Sequence, residues 1–224
     1  MGDPATVGAA RAALADGMIR VDVRSKRFGD TEVLGPVAFE IADGETVAIL
    51  GPSGIGKSTL LRIVAGIDTD FEGRVERPER MAIVFQEPTL LPWRTALANL
   101  TLIHPELPEA DARRMLDRVG IAERADAFPT QMSLGQQRRL ALARAFAGQP
   151  ELLIMDEPFV SLDPATADTM LGLTEDLIAE ARPATLFVTH ARSEAERLAT
   201  RVLELGGRPA RLLPAPSDPK GGSS

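Results

Sequence analysis

The spacing of hydrophobic residues changes twice along this chain. Short apolar stretches that alternate with polar residues come first, as in "MIRVDVRS", "GPVAFEI" and "TVAIL", and predict β-strands. From about Thr95 to Gln149, Ala, Leu and Arg recur at helical spacing without a clear strand. Strand and helix patterns then alternate from "ELLIM" to "RVLEL". Such alternation is typical of a mostly parallel sheet flanked by helices, so we expect an α/β core with an all-helical insertion.

These patterns also divide the chain. "KSTLLRIVAGI", "DPATADTMLGLTEDLIAEAR" and "RSEAERLAT" predict helices of the core, and "GRVERPERMAIVF" predicts two strands joined by a turn. We expect one domain over residues 18–210, with the helical lobe at about 94–149. Residues 1–17 would form an extension, and residues 211–224, rich in Pro, Gly and Ser, a disordered tail.

Composition narrows the functional classes. The 224 residues are 44% hydrophobic, enough for a sizeable core, and their formal net charge of −7 disfavours a nucleic-acid partner. Cysteine is absent, so the sequence has neither a disulfide framework nor a cysteine metal site. Its apolar runs are far shorter than the roughly 18 residues of a membrane span, and the N-terminus lacks the apolar core of a signal peptide. We therefore expect a soluble protein that reaches a membrane only through a partner.

A glycine-rich motif follows the strand predicted at "TVAIL". Gly51–Ser58, "GPSGIGKS", satisfies G-x-x-x-x-G-K-[S/T] between a strand and a helix. Glycines let backbone N–H groups curl around phosphate oxygens, while Lys57 can reach the β- and γ-phosphates and Ser58 can ligate Mg²⁺. The alternative is a plain glycine-rich turn, which the flanking strand and helix disfavour. The predicted nucleotide contacts are Gly51, Pro52, Ser53, Gly54, Ile55, Gly56, Lys57, Ser58 and Thr59.

Lysine is rare in this chain. Only Lys26, Lys57 and Lys220 occur among 25 basic residues. A compact ammonium suits a point contact between phosphate groups better than the broad guanidinium of arginine. The lysine at position 57 therefore supports the phosphate interpretation.

Two acids and a histidine follow later predicted strands. "ELLIMDEP" places Asp156 and Glu157 at the carboxyl end of a buried strand, where open α/β sheets bind ligands. Beside a phosphate loop, we expect Asp156 to join the Mg²⁺ shell and Glu157 to be the general base on water; the alternative is a solvated turn. His190 ends the next strand, "ATLFVTH", and either donates to the γ-phosphate or is an ordinary surface or satisfied core residue. For His104 we predict no catalytic or binding role.

The helical insertion carries a second candidate for anion binding. "MSLGQQRRLALARAF" begins with Ser133-x-x-Gln136, a capping-box pattern that by itself predicts only a well-formed helix start. A helix N-terminus with Ser133 and Gly135 also offers donors to an anion, and the nucleotide of a second copy, placed head to tail, could supply that anion. Asp163 in "SLDP" is a good helix N-cap that would also lie near the seam between the two copies.

Taken in order, these motifs resemble those of the ATP-binding cassette (ABC) ATPases over roughly residues 18–207. The phosphate loop, the signature "MSLGQ", the Walker B strand "ELLIMDE", the D-loop "SLDP" and the switch histidine His190 all have counterparts there. By the same resemblance, Gln86 in "VFQEPTLLPW" is the Q-loop glutamine, which would join the Mg²⁺ shell and sense the membrane partner. Gln136 of the signature would contact nucleotide. Phe28 would stack on adenine, and the alternative is a core position at a strand end.

The resemblance implies a P-loop NTPase (RecA-like) fold with an N-terminal antiparallel β part, and ATP with Mg²⁺ as ligands. The implied catalytic residues are Lys57, Gln86, Glu157 and His190. ATP would lie between two copies of the chain, or between this chain and a paralogous ATPase subunit.

"FQEPTLLPWRTALANL" most resembles the nitrate, sulfonate and taurine importer ATPases. The implied assembly contains a transmembrane permease subunit and a solute-binding protein, with this chain as a peripheral subunit at the cytoplasmic face of the inner membrane. The run "PTLLPW" would contact the permease, or would simply pack within the helical lobe. The expected function is thus ATP hydrolysis that drives uptake of a small solute.

Three alternative functions stay open at this point. An exporter-type ABC ATPase uses a similar cassette. A soluble cassette ATPase acting on DNA or the ribosome would carry long coiled-coil insertions or tandem cassettes, which do not fit this sequence. A regulator that binds nucleotide without turnover is favoured only by Leu134, which replaces the first glycine of the usual signature. Ala191 also departs from the family, because an Asp is common after the switch histidine.

Overall fold

The computed structural model describes residues 18–214, so the expectations for residues 1–17 and 215–224 lie outside the described residues. The chain forms two compact units. The first comprises the residues up to Ile41, Thr46–Arg77 and the residues from Val188 onward, and the second comprises Ala42–Glu45 and Pro78–Phe187. Each unit contains both strands and helices.

An antiparallel sheet forms the N-terminal part of the first unit. Three strands pair with β1 in the antiparallel sense, as the family resemblance implies. Alternate residues of β1 are buried up to Val23, where the register shifts, and Lys26 then turns inward. The bulge thus buries a charged residue near the end of the strand. The strands are β1 (Ile19–Phe28), β2 (Thr31–Leu34), β3 (Val37–Ile41) and β5 (Glu72–Glu76).

The first unit also contains a parallel pair of strands. β4 (Thr46–Leu50), buried at every position, pairs in parallel with β9 (Arg201–Gly206). Helices α1 (Lys57–Val64) and α6 (Arg192–Leu198) belong to this unit. β10 (Arg211–Leu212) pairs with β9 in the antiparallel sense. The prediction of a disordered tail is therefore wrong for residues 211 and 212, because backbone pairing with β9 orders them.

The second unit combines a parallel pair of strands with the predicted helical insertion. β6 (Met81–Val84) pairs in parallel with β7 (Leu152–Asp156), and β8 (Ala184–Thr189) begins in this unit and ends in the first. The segment between β6 and β7 is helical, as the sequence pattern predicts. Its elements are α2 (Ala96–Thr101), α3 (Glu109–Arg118), short 3₁₀ turns at Ala122–Arg124 and Pro129–Gln131, and α4 (Leu134–Ala147).

Fully buried leucines hold the helical insertion together. Leu100 of α2, Leu116 of α3 and Leu140 of α4 are each 0% exposed, and each helix contributes one of them. After β7 the chain continues into α5 (Pro164–Ala181), the longest helix described. Within residues 18–214, none of the helices combines the length and the apolar character that crossing a membrane requires.

Candidate functional site

The phosphate loop connects β4 to α1 within the first unit. Its backbone is left-handed at Gly54 (φ 75°) and at Gly56 (φ 114°), the residue that precedes α1. Residues with a side chain rarely adopt these angles, so the curl of the loop needs glycine at both positions. A Cβ atom at Gly54 would have no heavy atom within 4 Å, so this part of the loop faces open space. An open, curled backbone before a helix is what a phosphate group requires.

Residues of neighbouring strands pack closely against both ends of this loop. A Cβ atom at Gly51 would lie 2.7 Å from the carbonyl oxygen of Leu205 in β9. A Cβ atom at Gly56 would lie 2.9 Å from Leu34 Cδ2 at the end of β2. The ends of the loop are therefore fixed by packing. The N-cap residue of α1 is a glycine, so no N-cap side chain bonds the first backbone N–H groups of the helix.

Lys57, the first residue of α1, is only 4% exposed. Its Nζ donates hydrogen bonds to the carbonyl oxygens of Gly51, at 2.8 Å, and Pro52, at 3.1 Å. The ammonium is therefore held against the loop itself, where the sequence motif predicts it. Phosphate oxygens would be stronger partners than these two neutral carbonyls, because hydrogen bonds between charged groups are shorter and stronger.

Phe28 ends β1 with 55% of its surface exposed, so the alternative of a core position is wrong. Lys26 Nζ lies 4.6 Å from the centroid of the Phe28 ring. The sequence motifs predict no role for Lys26, and the signal available in the sequence is the rarity of lysine in this chain. An exposed ring is compatible with stacking on a base, which stays a prediction.

His190 lies directly after β8 and is exposed. The backbone N–H of Ala191 donates to Thr189 Oγ1 at 3.0 Å, and Thr189 in turn is hydrogen-bonded to Glu194 of α6. Thr189 thus fixes the turn that carries His190. Exposure suits a ligand contact and a surface position equally, so the catalytic role of His190 stays a prediction.

Asp156 and Glu157, the predicted acidic pair, lie at the end of the mostly buried strand β7 in the second unit. Residues 152–155 of β7 are buried, while Asp156, its last residue, and Glu157 are half-buried. This burial disfavours the alternative of a solvated turn. Glu157 has a left-handed backbone (φ 43°), which costs a residue with a side chain about 1 kcal/mol. Strain of this kind concentrates at functional sites, where the chain must turn sharply to place a side chain.

Gln86 lies on the same edge of the β6–β7 pair as the acids. The register of this parallel pair places Val84 opposite Met155, and the chain then continues to Gln86 and to Asp156. Because the two strands run in the same direction, Gln86 and Asp156 both lie at the carboxyl end of this strand pair. Gln86 is exposed. The second unit thus brings together two of the three predicted Mg²⁺ ligands at one edge.

The start of α4 forms the capping box that its sequence predicts. Ser133 Oγ accepts a hydrogen bond from the Gln136 backbone N–H at 3.2 Å, and Gln136 Oε1 accepts one from the Ser133 N–H at 3.0 Å. Both hydrogen bonds of this capping box therefore form within one chain.

Gly135, the second residue of α4, is not needed for packing, since a Cβ atom there would make only an ordinary contact with Thr166 at 3.6 Å. The fold does not require glycine at this position. Leu134, the departure from the family pattern, is 47% exposed.

Asp163 and His104 both have clear structural roles. Asp163 caps α5 by accepting a hydrogen bond from the Thr166 N–H at 3.1 Å, and hydrogen bonding to the side chain and then the backbone of Thr166 lowers the pKa of its carboxyl group. His104 Nε2 lies 2.9 Å from the carbonyl oxygen of Arg144, within the helical insertion. The absence of a catalytic role for His104 and the contact of Asp163 with a second copy both stay predictions.

Sequence reasoning missed Arg138 in α4. Its guanidinium is buried, so its pKa is lowered, and Nη1 donates to the carbonyl oxygen of Pro158 at 3.4 Å. Pro158 directly follows Glu157, so α4 contacts the segment that carries the predicted general base. The available signal was helical spacing, because Arg138 lies three and four residues before the buried Ala141 and Leu142.

Comparison with known proteins gives a consistent family. A family profile described as ABC transporter matches residues 34–160. The chain is 49% identical over 193 residues to the aliphatic sulfonates import ATP-binding protein SsuB of Mycobacterium sp. (strain MCS), which covers 83% of this chain and 79% of that protein. It is 46% identical over 182 residues to SsuB 3 of Rhodococcus jostii (strain RHA1), covering 80% and 68% of the two chains. These names confirm the resemblance to sulfonate importer ATPases.

A solved structure supports the same conclusion. The chain matches the dimeric post-hydrolysis state of the ATP-binding cassette MJ0796 bound to ADP and Pi, with a TM-score of 0.72 and 29% identity. The match covers 87% of this chain and 96% of that one. The predicted P-loop NTPase fold is thereby confirmed. The chain therefore belongs to the ABC transporter family, as an ATP-hydrolysing subunit.

Proposed function

We propose that this ATPase drives the uptake of a small sulfonate through a transmembrane permease. The observation that carries the proposal is the 49% identity to a protein named for aliphatic sulfonate import, with 46% and 43% for similarly named proteins of other genera. An importer is therefore favoured over the exporter-type and soluble alternatives. The formal net charge of −7 disfavours a nucleic-acid partner and agrees with this choice.

Phosphate binding is assigned to the loop between β4 and α1. Backbone N–H groups from Gly51 to Thr59 would surround the β- and γ-phosphates, with the open side at Gly54 admitting them. Lys57 would exchange its two carbonyl acceptors for phosphate oxygens. Because its side chain is already held against the loop, little conformational entropy is lost when ATP binds.

The oxygen donors of the chain fit Mg²⁺. Hydroxyl, carboxylate and amide oxygens are the hard ligands that this ion prefers, and the ion retains water and phosphate ligands as well. Ser58, Asp156 and Gln86 would supply these three donors, and the last two share an edge of the β6–β7 pair. When bound, the ion neutralises charge that develops on the phosphates.

Glu157 is the proposed general base. As the oxygen of a water molecule attacks the γ-phosphorus, Glu157 accepts a proton from that water. The bond from the γ-phosphorus to the oxygen of ADP breaks, and its electron pair leaves with ADP, giving inorganic phosphate. His190 would donate a hydrogen bond to a γ-phosphate oxygen during this step.

A second copy would complete each site. Ser133, Gly135 and Gln136 of one copy would contact the γ-phosphate bound by the other, with Asp163 near the seam. Gly135 supports this role because a Cβ atom there would make only ordinary contacts within the chain, whereas close approach of a phosphate requires glycine. The MJ0796 structure is a dimer bound to ADP and Pi. A paralogous ATPase subunit in place of the second copy is the alternative.

The permease is proposed to contact the loop before α2. Trp93 in "PTLLPW" is 67% exposed, which disfavours the alternative of packing within the helical lobe. The buried Asn99 fixes this loop, since its side-chain amide bonds the backbone of Leu91, Arg94 and Thr95. A large aromatic side chain held out by a rigid loop is a typical contact residue of protein interfaces. The assembly would lie at the cytoplasmic face of the inner membrane and receive its cargo from a solute-binding protein.

Uptake in cells tests this function directly. A strain that lacks this gene would be supplied with labelled ethanesulfonate, taurine or nitrate, with the gene restored as wild type or as Glu157→Gln. We expect sulfonate uptake with the wild type only. ATP-dependent loss of label from preloaded cells would instead support an exporter, and DNA-stimulated hydrolysis by the purified chain would support the soluble alternative.

A further inference from the structure

Lys26 is a buried cation in a strand of the first unit. Its exposure is 2%, although lysine side chains are normally solvated. The register shift in β1 turns it inward, where strict alternation from the buried Val23 would turn Ser25 inward instead. A buried charge is costly unless it is paired, so the partners of Lys26 indicate why it is there.

Oxygen atoms from the segment after α1 surround the ammonium. Lys26 Nζ donates to Asp68 Oδ1 at 2.9 Å, to Asp70 Oδ2 at 3.4 Å and to the Asp70 carbonyl oxygen. The backbone N–H of Asp68 donates to the carbonyl oxygen of Arg62 in the last turn of α1, at 3.1 Å. Lys26 therefore ties the end of β1 to the chain that leaves the phosphate-loop helix.

The same ammonium lies over the exposed ring of Phe28. The distance of 4.6 Å from Nζ to the ring centroid is within the range of a cation–π interaction. A cation on one face restrains the ring and covers that face. The ring is nevertheless 55% exposed, so the remaining surface is open to a ligand.

A second link joins this hairpin to the phosphate loop. Val33 and Leu34 of β2 lie so close to Gly56 that a Cβ atom there would be 3.3 Å and 2.9 Å from their side chains. β2 is paired with the end of β1 that carries Phe28. The aromatic ring and the phosphate loop are thus connected through packing at Gly56 and through the ion pairs of Lys26.

We propose that Lys26 is a positioning residue for the nucleotide base: it holds the Phe28 ring at a fixed place relative to the phosphate loop. The proposal rests on the proposed stacking of adenine on Phe28. Lysine suits this position because its three N–H donors can point in different directions, towards two carboxylates and a carbonyl, whereas the planar fork of arginine cannot. Affinity for the base would then depend on Lys26, and affinity for the phosphates would not.

The test compares ATP with a phosphate chain that lacks a base. Lys26→Met keeps the length of the side chain and removes its charge. We expect the ATP concentration for half-maximal hydrolysis to rise about tenfold, and the maximal rate to change less than about twofold. Inhibition by inorganic tripolyphosphate should be unchanged. Arg24→Met, at an exposed position of the same strand, is the matched control and should behave as the wild type.

Combination with Phe28→Leu shows whether Lys26 acts through the ring. If it does, adding Lys26→Met to Phe28→Leu raises the half-maximal ATP concentration little further, because the interaction is already lost. Additive effects, or an equal loss of tripolyphosphate inhibition, would overturn the proposal.

Asp68→Asn provides a second variant in case Lys26→Met folds poorly. It weakens the tether and leaves the lysine in place, so a smaller change in the same direction is expected. An unchanged half-maximal ATP concentration in Asp68→Asn would also overturn the proposal. If the wild type itself hydrolyses no ATP, the proposed function fails rather than the role of Lys26.

Discussion

α1 begins at a glycine without a capping side chain, whereas α4 begins at a serine whose capping box is complete. Both helix starts are proposed to contact phosphate. At α1 the N-cap residue is the left-handed Gly56, so no N-cap side chain bonds the first backbone N–H groups of the helix. At α4, Ser133 and Gln136 satisfy each other before any ligand arrives. This difference supports the proposal that the first helix start binds ATP and that the second contacts ATP that is already bound.

The largest expected effect is at α1. Lys57→Ala should abolish measurable phosphate release, a loss of at least about a hundredfold, because the ammonium that neutralises the β- and γ-phosphates is gone. ATP binding should also weaken. Hydrolysis within a few-fold of the wild type would contradict the comparison, because α1 would then contribute no more than α4.

Gly135→Ala tests whether a phosphate approaches the start of α4 closely. Because the new Cβ contacts Thr166 at an ordinary distance and alanine favours helix, the free energy of unfolding should be unchanged or rise by up to about 1 kcal/mol. Hydrolysis should fall about tenfold, since the methyl group blocks close approach of the partner's phosphate. Denaturant unfolding and phosphate release measure the two effects. Full activity would show that nothing approaches Gly135 closely.

Ser133→Ala separates capping from catalysis. Loss of the cap should lower the free energy of unfolding by about 1 kcal/mol, and loss of the hydroxyl should also reduce hydrolysis. Thr95→Ala is the matched control, because Thr95 caps α2 through the Ala98 N–H at 3.2 Å. It should lose similar stability and keep its activity. Equal activity in the two variants would leave Ser133 with a purely structural role.

The smallest effect concerns Asp163. Hydrogen bonding to Thr166 lowers the pKa of its carboxyl group below the ordinary value of 3.8. A carboxyl group whose pKa is lower in the folded state stabilises the fold above its ordinary pKa, and this contribution is lost as the pH falls through the folded value. Asp163→Asn keeps a good N-cap without a charge, so its unfolding free energy should depend less on pH below about 4. An identical pH dependence would contradict the role of this carboxylate.

The elements that the sequence predicts are those with a strong local pattern. β4 is a continuous apolar run, α4 has a capping box, and the phosphate loop is a local motif that follows and precedes recognisable elements. β2 and β10 are not predicted because strands of four and two residues are too short to show a repeating hydrophobic pattern. Pairing with other strands orders them.

The site residues divide in the same way, into those that a local sequence pattern predicts and those that depend on the rest of the fold. Lys57 and the acids after β7 could be predicted because their neighbours in sequence define them. The burial of Lys26 could not be predicted, since a bulge breaks the alternation of buried and exposed residues in β1. The left-handed backbone of Glu157 is not a property of glutamate, and only the turn after β7 imposes it.

In the proposed dimer, ATP is held between the phosphate loop of one copy and the start of α4 of another. Glu157→Gln should bind ATP without hydrolysing it, so that the closed pair accumulates. Its mass in solution with ATP should then be about twice the 24.0 kDa of one chain, and should return to that of one chain when Ser133→Ala and Gly135→Ala are added. A mass of one chain for Glu157→Gln with ATP bound, at high protein concentration, would contradict this arrangement of two copies.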